Sequence, residues 1–321
     1  MQSVQDRLVN KRPPAAGKKG WRQTLAKDFH RNKYIYLMLL PVVAYFLIFH
    51  YQPMYGATIA FKDFLPNKGI MGSPWVGLKH FKSFFLSPSA FQVIRNTIVI
   101  NLFDLLFGFP APILLALLLN EINASWFKRS VQTVTYMPHF ISLVVICGIL
   151  RDFTSMNGLF NSLRGLFGLD PVLFLSESSW FRPLYIGSDI WQGVGWGSII
   201  YIAALAGVDQ ELYEAAKIDG AGRWRRMVSI TLPGIAPTII LMLIMRVGRM
   251  MSLGSEKVLL LYSPVIYETA DVISTFTYRK GLLESNYSYS AAVGLFNSLI
   301  NFILLLTVNK ISKKVSETSL W

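Results

Sequence analysis

Six apolar runs, each close to the length of a bilayer crossing, constrain this chain more than any other feature. A helix needs ~20 mostly apolar residues to cross the hydrocarbon core, where no water can satisfy a stray backbone N–H or C=O. The runs are Tyr34–Tyr51, Ile94–Leu119, Val131–Leu150, Leu184–Leu205, Ala236–Leu253 and Ala291–Val308. They predict an all-α polytopic membrane protein with six transmembrane helices. The fourth and fifth are the weakest, because the fourth holds Asp189 and Gln192 and the fifth holds Arg246 and Arg249.

The direction of the spans follows from where Lys and Arg fall. With the N-terminus inside, the inner segments 1–33, 120–130, 206–235 and 309–321 carry eighteen Lys and Arg, and the outer segments 52–93, 151–183 and 254–290 carry ten. Both termini are expected in the cytoplasm. The net charge of +13 is explained mainly by this topology and calls for no nucleic acid. Segment 1–33 holds nine Lys and Arg, has no apolar core of its own, and reads as a basic cytoplasmic segment lying free or on the lipid surface rather than as a cleavable leader. Residues 34–308 read as one permease-sized membrane domain without internal repeats, and 309–321 as a cytoplasmic tail. The lone Cys147, inside an apolar run, reads as a small buried hydrophobe. Trp75, Phe81, Phe84, Phe85, Trp180, Tyr262 and Tyr267 in the outer segments suit either interface anchoring or the docking of an external protein.

The inner segment 206–235 is the most patterned. Leu212 to Lys217 reads as a short helix with Glu211 and Glu214 near its positive end. Ala215 and Ala216 are small enough to let another surface approach the backbone. Gly220 after Asp219 is a natural helix exit. Arg223-Trp224-Arg225-Arg226 follows, and Leu232-Pro233 is expected to stop that second stretch. Glu214-Ala215-Ala216, Gly220 and Ile230-x-Leu232-Pro233, ahead of the last two spans, resemble the EAA loop of binding-protein-dependent ABC import permeases. Trp75-Val76-Gly77-Leu78-x-x-Phe81, Asn96-Thr97 and Tyr136-Met137-Pro138 are similar to the carbohydrate-type permeases, above all the oligo- and polysaccharide-importing branch.

That resemblance implies a type I importer permease fold in a bacterial plasma membrane. It implies four kinds of partner: a second, different permease, two ATP-binding subunits that hold ATP and Mg, an extracytoplasmic solute-binding protein, and an oligosaccharide cargo. It also implies that Glu214, Ala215, Ala216, Asp219, Gly220 and Arg223 dock on an ATPase and pass its motion to the spans. Arg223, Arg225 and Arg226 would pair there with acids or with anionic lipid.

No G-x-x-x-x-G-K-[ST], H-E-x-x-H or G-x-S-x-G occurs, and the four histidines are scattered. The chain is therefore expected to be no enzyme and to bind no metal or cofactor itself. Gly193-Val-Gly195-Trp-Gly197 reads as close helix packing through Gly193 and Gly197 rather than as a dinucleotide loop. A stand-alone secondary transporter or channel is the alternative class, and it would carry an inverted repeat of broken helices.

Polar side chains at membrane depth are functional candidates because desolvating them is costly. Arg246 and Arg249, three apart, are expected on one helix face. At ~1.5 Å per residue Arg246 lies about 15 Å from the inner boundary, the depth at which Asp104 sits in the second span. They make either a positive spot on the cargo path, suited to an acidic sugar, or an internal Asp104–Arg pair. Asp189, Trp191, Gln192, Trp196 and Tyr201 in the fourth span offer flat rings and hydrogen-bonding groups to a sugar, or packing surfaces to lipid and helices.

Overall fold

The computed structural model describes residues 29–316 and 319. The described residues are mostly helical and contain no named strand, only an isolated bridge between Lys62 and Trp75. The helices used below are α1 (Lys33–Phe61), α2 (Lys79–Leu86), α3 (Pro88–Asn120), α4 (Ser125–Phe140), α5 (Leu143–Phe153), α6 (Leu159–Leu166), α7 (Ser178–Leu205), α8 (Gln210–Ile218), α9 (Arg223–Val247), α10 (Ser255–Leu261), α11 (Ile273–Tyr278) and α12 (Tyr287–Ser316). Four helices, α1, α3, α9 and α12, are each long and apolar enough to cross a membrane, and six spans result if the bent pairs α4–α5 and α7–α8 each count as one. Most of the expected 1–33 segment lies outside the described residues, and the expected tail begins as the continuation of α12.

The chain divides into two units, Met1–Ala57 and Thr58–Trp321. The first holds most of α1. The second holds the core. Ile100, Cys147, Phe181 and Tyr185 pack with Val258, Leu261, Ile266 and Val272. Phe84, Val93, Ile273, Phe276 and Val293 make a second cluster, and Ile113, Leu117, Tyr201, Leu205 and Ile235 a third.

Prolines shape the long helices in a regular way. Pro53, Pro110 and Pro233 each stand two residues after a widened, five-residue π turn: Leu47–Tyr51, Asp104–Gly108 and Met227–Thr231. A proline ring collides with the carbonyl four residues back and donates no hydrogen bond. That carbonyl belongs to Phe49, Leu106 or Ser229, the central residue of each turn, and widening the turn moves it aside while the helix continues. Pro233 therefore does not stop the stretch from Arg223 as the sequence predicts. It lets Arg223–Val247 run as one helix, which ends six residues before the expected limit at Leu253.

Three further expectations change. Val131–Leu150 is not one straight span: α4 and α5 meet at a 100° bend, because Pro138 tightens the end of α4 into a 3-10 turn and the Ser142 hydroxyl caps α5 at Val145. Segment 254–290, counted only for its charge, also supplies apolar residues that pack with Tyr185 in the core. Phe84 is neither anchor nor docking residue but is buried among Phe276, Tyr289 and Phe296. The close approach expected at Gly193 and Gly197 is present at Gly197, where a Cβ would lie 3.0 Å from the Pro112 ring of α3, and tighter still at Gly195, against the Thr135 carbonyl of α4, while nothing lies within 4 Å at Gly193.

Candidate functional site

Two regions carry the chemistry, and α9 joins them. At ~1.5 Å per residue its 25 residues reach about 37 Å, from Arg223 beside α8 to Arg246 in a cleft between α3, α7 and α9.

The first region is α8 and its exit. The Asp209 side chain caps the helix by accepting from the Glu211 N–H at 2.9 Å. At the other end the Ala221 N–H donates to the Ala216 carbonyl at 2.8 Å and the Gly220 N–H to the Lys217 carbonyl at 3.1 Å. This paired closure requires a left-handed residue, and Gly220 supplies it with φ +72°. Glu214, Ala215, Lys217 and Asp219 face solvent, as do Arg223 and Arg225, and Ala216 is half-buried. Ile218 is 87% and Trp224 76% exposed, which leaves large apolar side chains uncovered next to the small alanines. The projection is fastened to α9 through the Tyr213 hydroxyl, which donates to Thr231 Oγ1 at 3.0 Å. Beneath it a cavity of about 310 Å³ is lined by Glu121, Tyr213, Lys217, Arg223 and Arg226.

The second region is the cleft. A cavity of about 720 Å³ adjoins one of about 430 Å³, and Asp104, Gly108, Pro112, Asp189, Gly197 and Arg246 line both. Asn101, Tyr185, Tyr201, Arg249, Glu256 and Lys257 complete the larger, and His139 and Gln192 border the smaller. Asp104 lies in the π turn of α3. The Arg246 Nε donates to its Oδ2 at 2.9 Å and a second guanidinium nitrogen reaches both carboxylate oxygens. This is the two-pronged geometry that suits arginine to a carboxylate. Gly108 leaves room for this carboxylate, since a Cβ there would press on Asp104 Oδ1. Asp104 is buried, whereas the Arg246 side chain remains 46% exposed toward the cavity.

Asp189 makes the second ion pair, accepting from Lys257 Nζ at 2.7 Å. Lys257 is only 4% exposed. Its ammonium also donates to the Tyr185 carbonyl at 3.1 Å and lies 4.7 Å from the centre of the Tyr185 ring. A buried ammonium needs this set of partners. Sequence counting assigns Lys257 to the outer segment, and only the apolar run Val258 to Leu261 directly after it marks it as buried. Tyr185, His139 and Glu256 also escape sequence reasoning, because no pattern distinguishes them from ordinary helix and loop residues.

Of the residues singled out for the cargo path, the structure brings Asp104, Asp189, Gln192, Tyr201, Arg246 and Arg249 to the cleft. Trp191 and Trp196 line neither cavity; Trp196 stacks on the His139 ring at 4.5 Å. Arg249 does not share a helix face with Arg246. The chain leaves α9 at Val247 in tighter turns, with the Arg249 N–H on the Arg246 carbonyl at 3.1 Å. Asn96 is fully buried, away from the cavities, and donates to the Glu268 and Asp271 carbonyls at 2.9 and 3.0 Å.

One continuous apolar helix thus joins an exposed, capped helix to a charged cleft. Residues 108–317 match the family described as binding-protein-dependent transport system inner membrane component, and the chain belongs to that family. It is a multi-pass permease subunit of the bacterial inner membrane. It is similar to protein LplB of Bacillus subtilis (strain 168), with 47% identity over 292 residues, 91% of this chain and 92% of LplB. It is also similar to the polygalacturonan/rhamnogalacturonan transport system permease protein YteP of the same organism, with 45% identity over 305 residues and 95% of each chain. Among solved structures, a bacterial ABC transporter involved in the import of the acidic polysaccharide alginate matches with a TM-score of 0.86 at 43% identity, covering 91% of this chain and 99% of that one. The bacterial alginate transporter in complex with an alginate pentasaccharide-bound periplasmic protein matches with a TM-score of 0.86 at 42% identity, covering 92% and 99%.

Proposed function

We propose that this chain is one of two membrane subunits of an ATP-driven importer that takes oligosaccharides, including acidic ones, from an extracytoplasmic binding protein. The observation that carries the reading is the continuous α9, with the exposed α8 projection at its inner end and the Arg246 cleft at its outer end. The names of its relatives, which include polygalacturonan, rhamnogalacturonan and alginate transport, support the cargo class. In this reading Glu214, Ala215, Ala216, Asp219, Gly220 and Arg223 dock on a separate ATPase, where ATP and Mg bind. Closure of two such ATPases pushes the projection, α9 tilts, and the cleft changes the side to which it opens. The second membrane subunit is a different permease. The chain crosses the membrane six times with both termini in the cytoplasm, α4–α5 forming one broken crossing and α7 a crossing that ends before the α8 projection.

The test is Gly220→Asp in the full chain. An aspartate there must adopt the φ +72° of Gly220 and adds a charge at the docking surface. The expected result is normal membrane insertion, loss of oligosaccharide uptake, and loss of the ATPase from a mild-detergent pull-down that still recovers the second permease. Uptake at the wild-type rate would refute the coupling role and turn attention to a transporter that works without an ATPase.

A further inference from the structure

The larger cavity is lined by ionisable side chains of balanced sign: Asp104, Asp189 and Glu256 against Arg246, Arg249 and Lys257. Two pairs are already made. Arg246 is committed to Asp104, and Lys257 to Asp189 and the Tyr185 carbonyl. Arg249 and Glu256 remain, both exposed, and neither makes a side-chain hydrogen bond or ion pair among the described residues. They stand at the two ends of the connector from α9 to α10. That connector is not loose. The Met251 N–H donates to Asn301 Oδ1 at 2.8 Å, and Asn301 Nδ2 donates to Ser252 Oγ at 2.6 Å, which ties it to α12.

From this division we infer that Arg249 is the cation that reads a cargo carboxylate, that Glu256 accepts from the hydroxyls of the same sugar, and that Arg246 serves as a positioning residue through Asp104. The inference rests on the acidic-oligosaccharide reading above. Arg246 already spends its Nε and one Nη on Asp104, so a cargo carboxylate would meet there a guanidinium whose charge is largely offset by its buried partner. Arg249 gives up only water. Its guanidinium offers a planar set of donors that matches a carboxylate in two parallel hydrogen bonds, and it is presented on anchored backbone, so little ordering is needed on binding.

The experiment uses the complete transporter in proteoliposomes with its binding protein. Transport is measured for oligogalacturonate and oligoalginate, and for the same oligosaccharides with their carboxylates reduced to alcohols. The readout is the acidic-to-neutral ratio of each variant divided by that of wild type, which removes the preference of the binding protein. Arg249→Gln is expected to lower this ratio about tenfold or more, the loss of a charge-assisted hydrogen bond. Arg249→Lys is expected to lower it less, since an ammonium is a single point of charge. Asp104→Asn is expected to reduce both rates with a smaller change of ratio. An unchanged ratio in Arg249→Gln, at whatever absolute rate, overturns the inference. Should that variant fail to assemble, an unchanged ratio in Arg249→Lys does so. Transport of only the reduced oligosaccharides by wild type would instead overturn the acidic-cargo reading itself, and the inference with it.

Discussion

The α8 projection keeps its shape through its own neighbours in sequence, whereas the cleft keeps its shape through side chains far apart in the chain. Asp209 caps Glu211 and the Ala221 N–H closes on Ala216, both within a few residues. Asp104 and Arg246 are 142 positions apart, and Asp189 and Lys257 are 68 apart. The projection is solvated and lightly anchored. The cleft is held by charges taken partly out of water, so its shape depends on each partner being present. A local device fails locally and at small cost. A long-range charge pair fails globally, because the stranded partner remains behind.

The sharpest way to break this contrast is Asp189→Leu. It leaves the 4% exposed Lys257 ammonium without its counter-charge, a loss of about 3 kcal/mol, at the lower end of the buried-pair range because Asp189 is itself partly exposed. The expected result is a clear fall in the thermal midpoint of the purified complex. Adding Lys257→Met is expected to recover much of it. A double variant no better than the single one would mean that Lys257 is held by Tyr185 rather than by Asp189.

Asp209→Ala acts on the other side of the comparison. Loss of the cap costs about 1 kcal/mol, confined to α8. The thermal midpoint should stay near wild type while transport per ATP falls. A drop in midpoint as large as that of Asp189→Leu would show that the projection is part of the core after all.

The smallest expected effect lies at an exposed pair of intermediate range, 16 positions apart. Lys79 donates to Asp63 at 2.6 Å, and His80 lies 2.9 Å from the other carboxylate oxygen. The Lys79 hydrogen bond, opposed by partial burial, holds the Asp63 carboxyl below its ordinary value of 3.8. A folded value below the unfolded one stabilises above the unfolded value and is lost as pH falls through the folded one. Hydrogen exchange in residues 62–80 should therefore be flat well above 3.8 and quicken as pH falls below it, relative to Asp63→Asn. Identical profiles in the two proteins would remove Asp63 from the account.

What could be read in advance follows the same division. The helix exit at Gly220 was legible because it depends on one residue's allowed φ and on bonds to the preceding turn. The apolar runs were legible because crossing a bilayer demands length and hydrophobicity, whatever the neighbours. The passage of α9 through Pro233 was not, because a π turn relieves the proline and a proline alone looks the same whether it stops a helix or is accommodated. The partner of Lys257 was not, because a lysine in an outer segment has the same sequence appearance whether it pairs with water or with Asp189.

The amino-acid order alone therefore settled the membrane class of this protein, the number of its apolar runs, the place of its α8 projection and the residues with which that projection ends. All of these rest on hydropathy and on backbone rules that act over a few residues. Which arginine holds Asp104 and which stays free, where the fourth span finds the partner for its aspartate, and how segment 254–290 closes the core were settled by packing. Electrostatic partners are chosen by distance in space, and distances of 68 and 142 positions along the chain become contacts only once the helices have assembled.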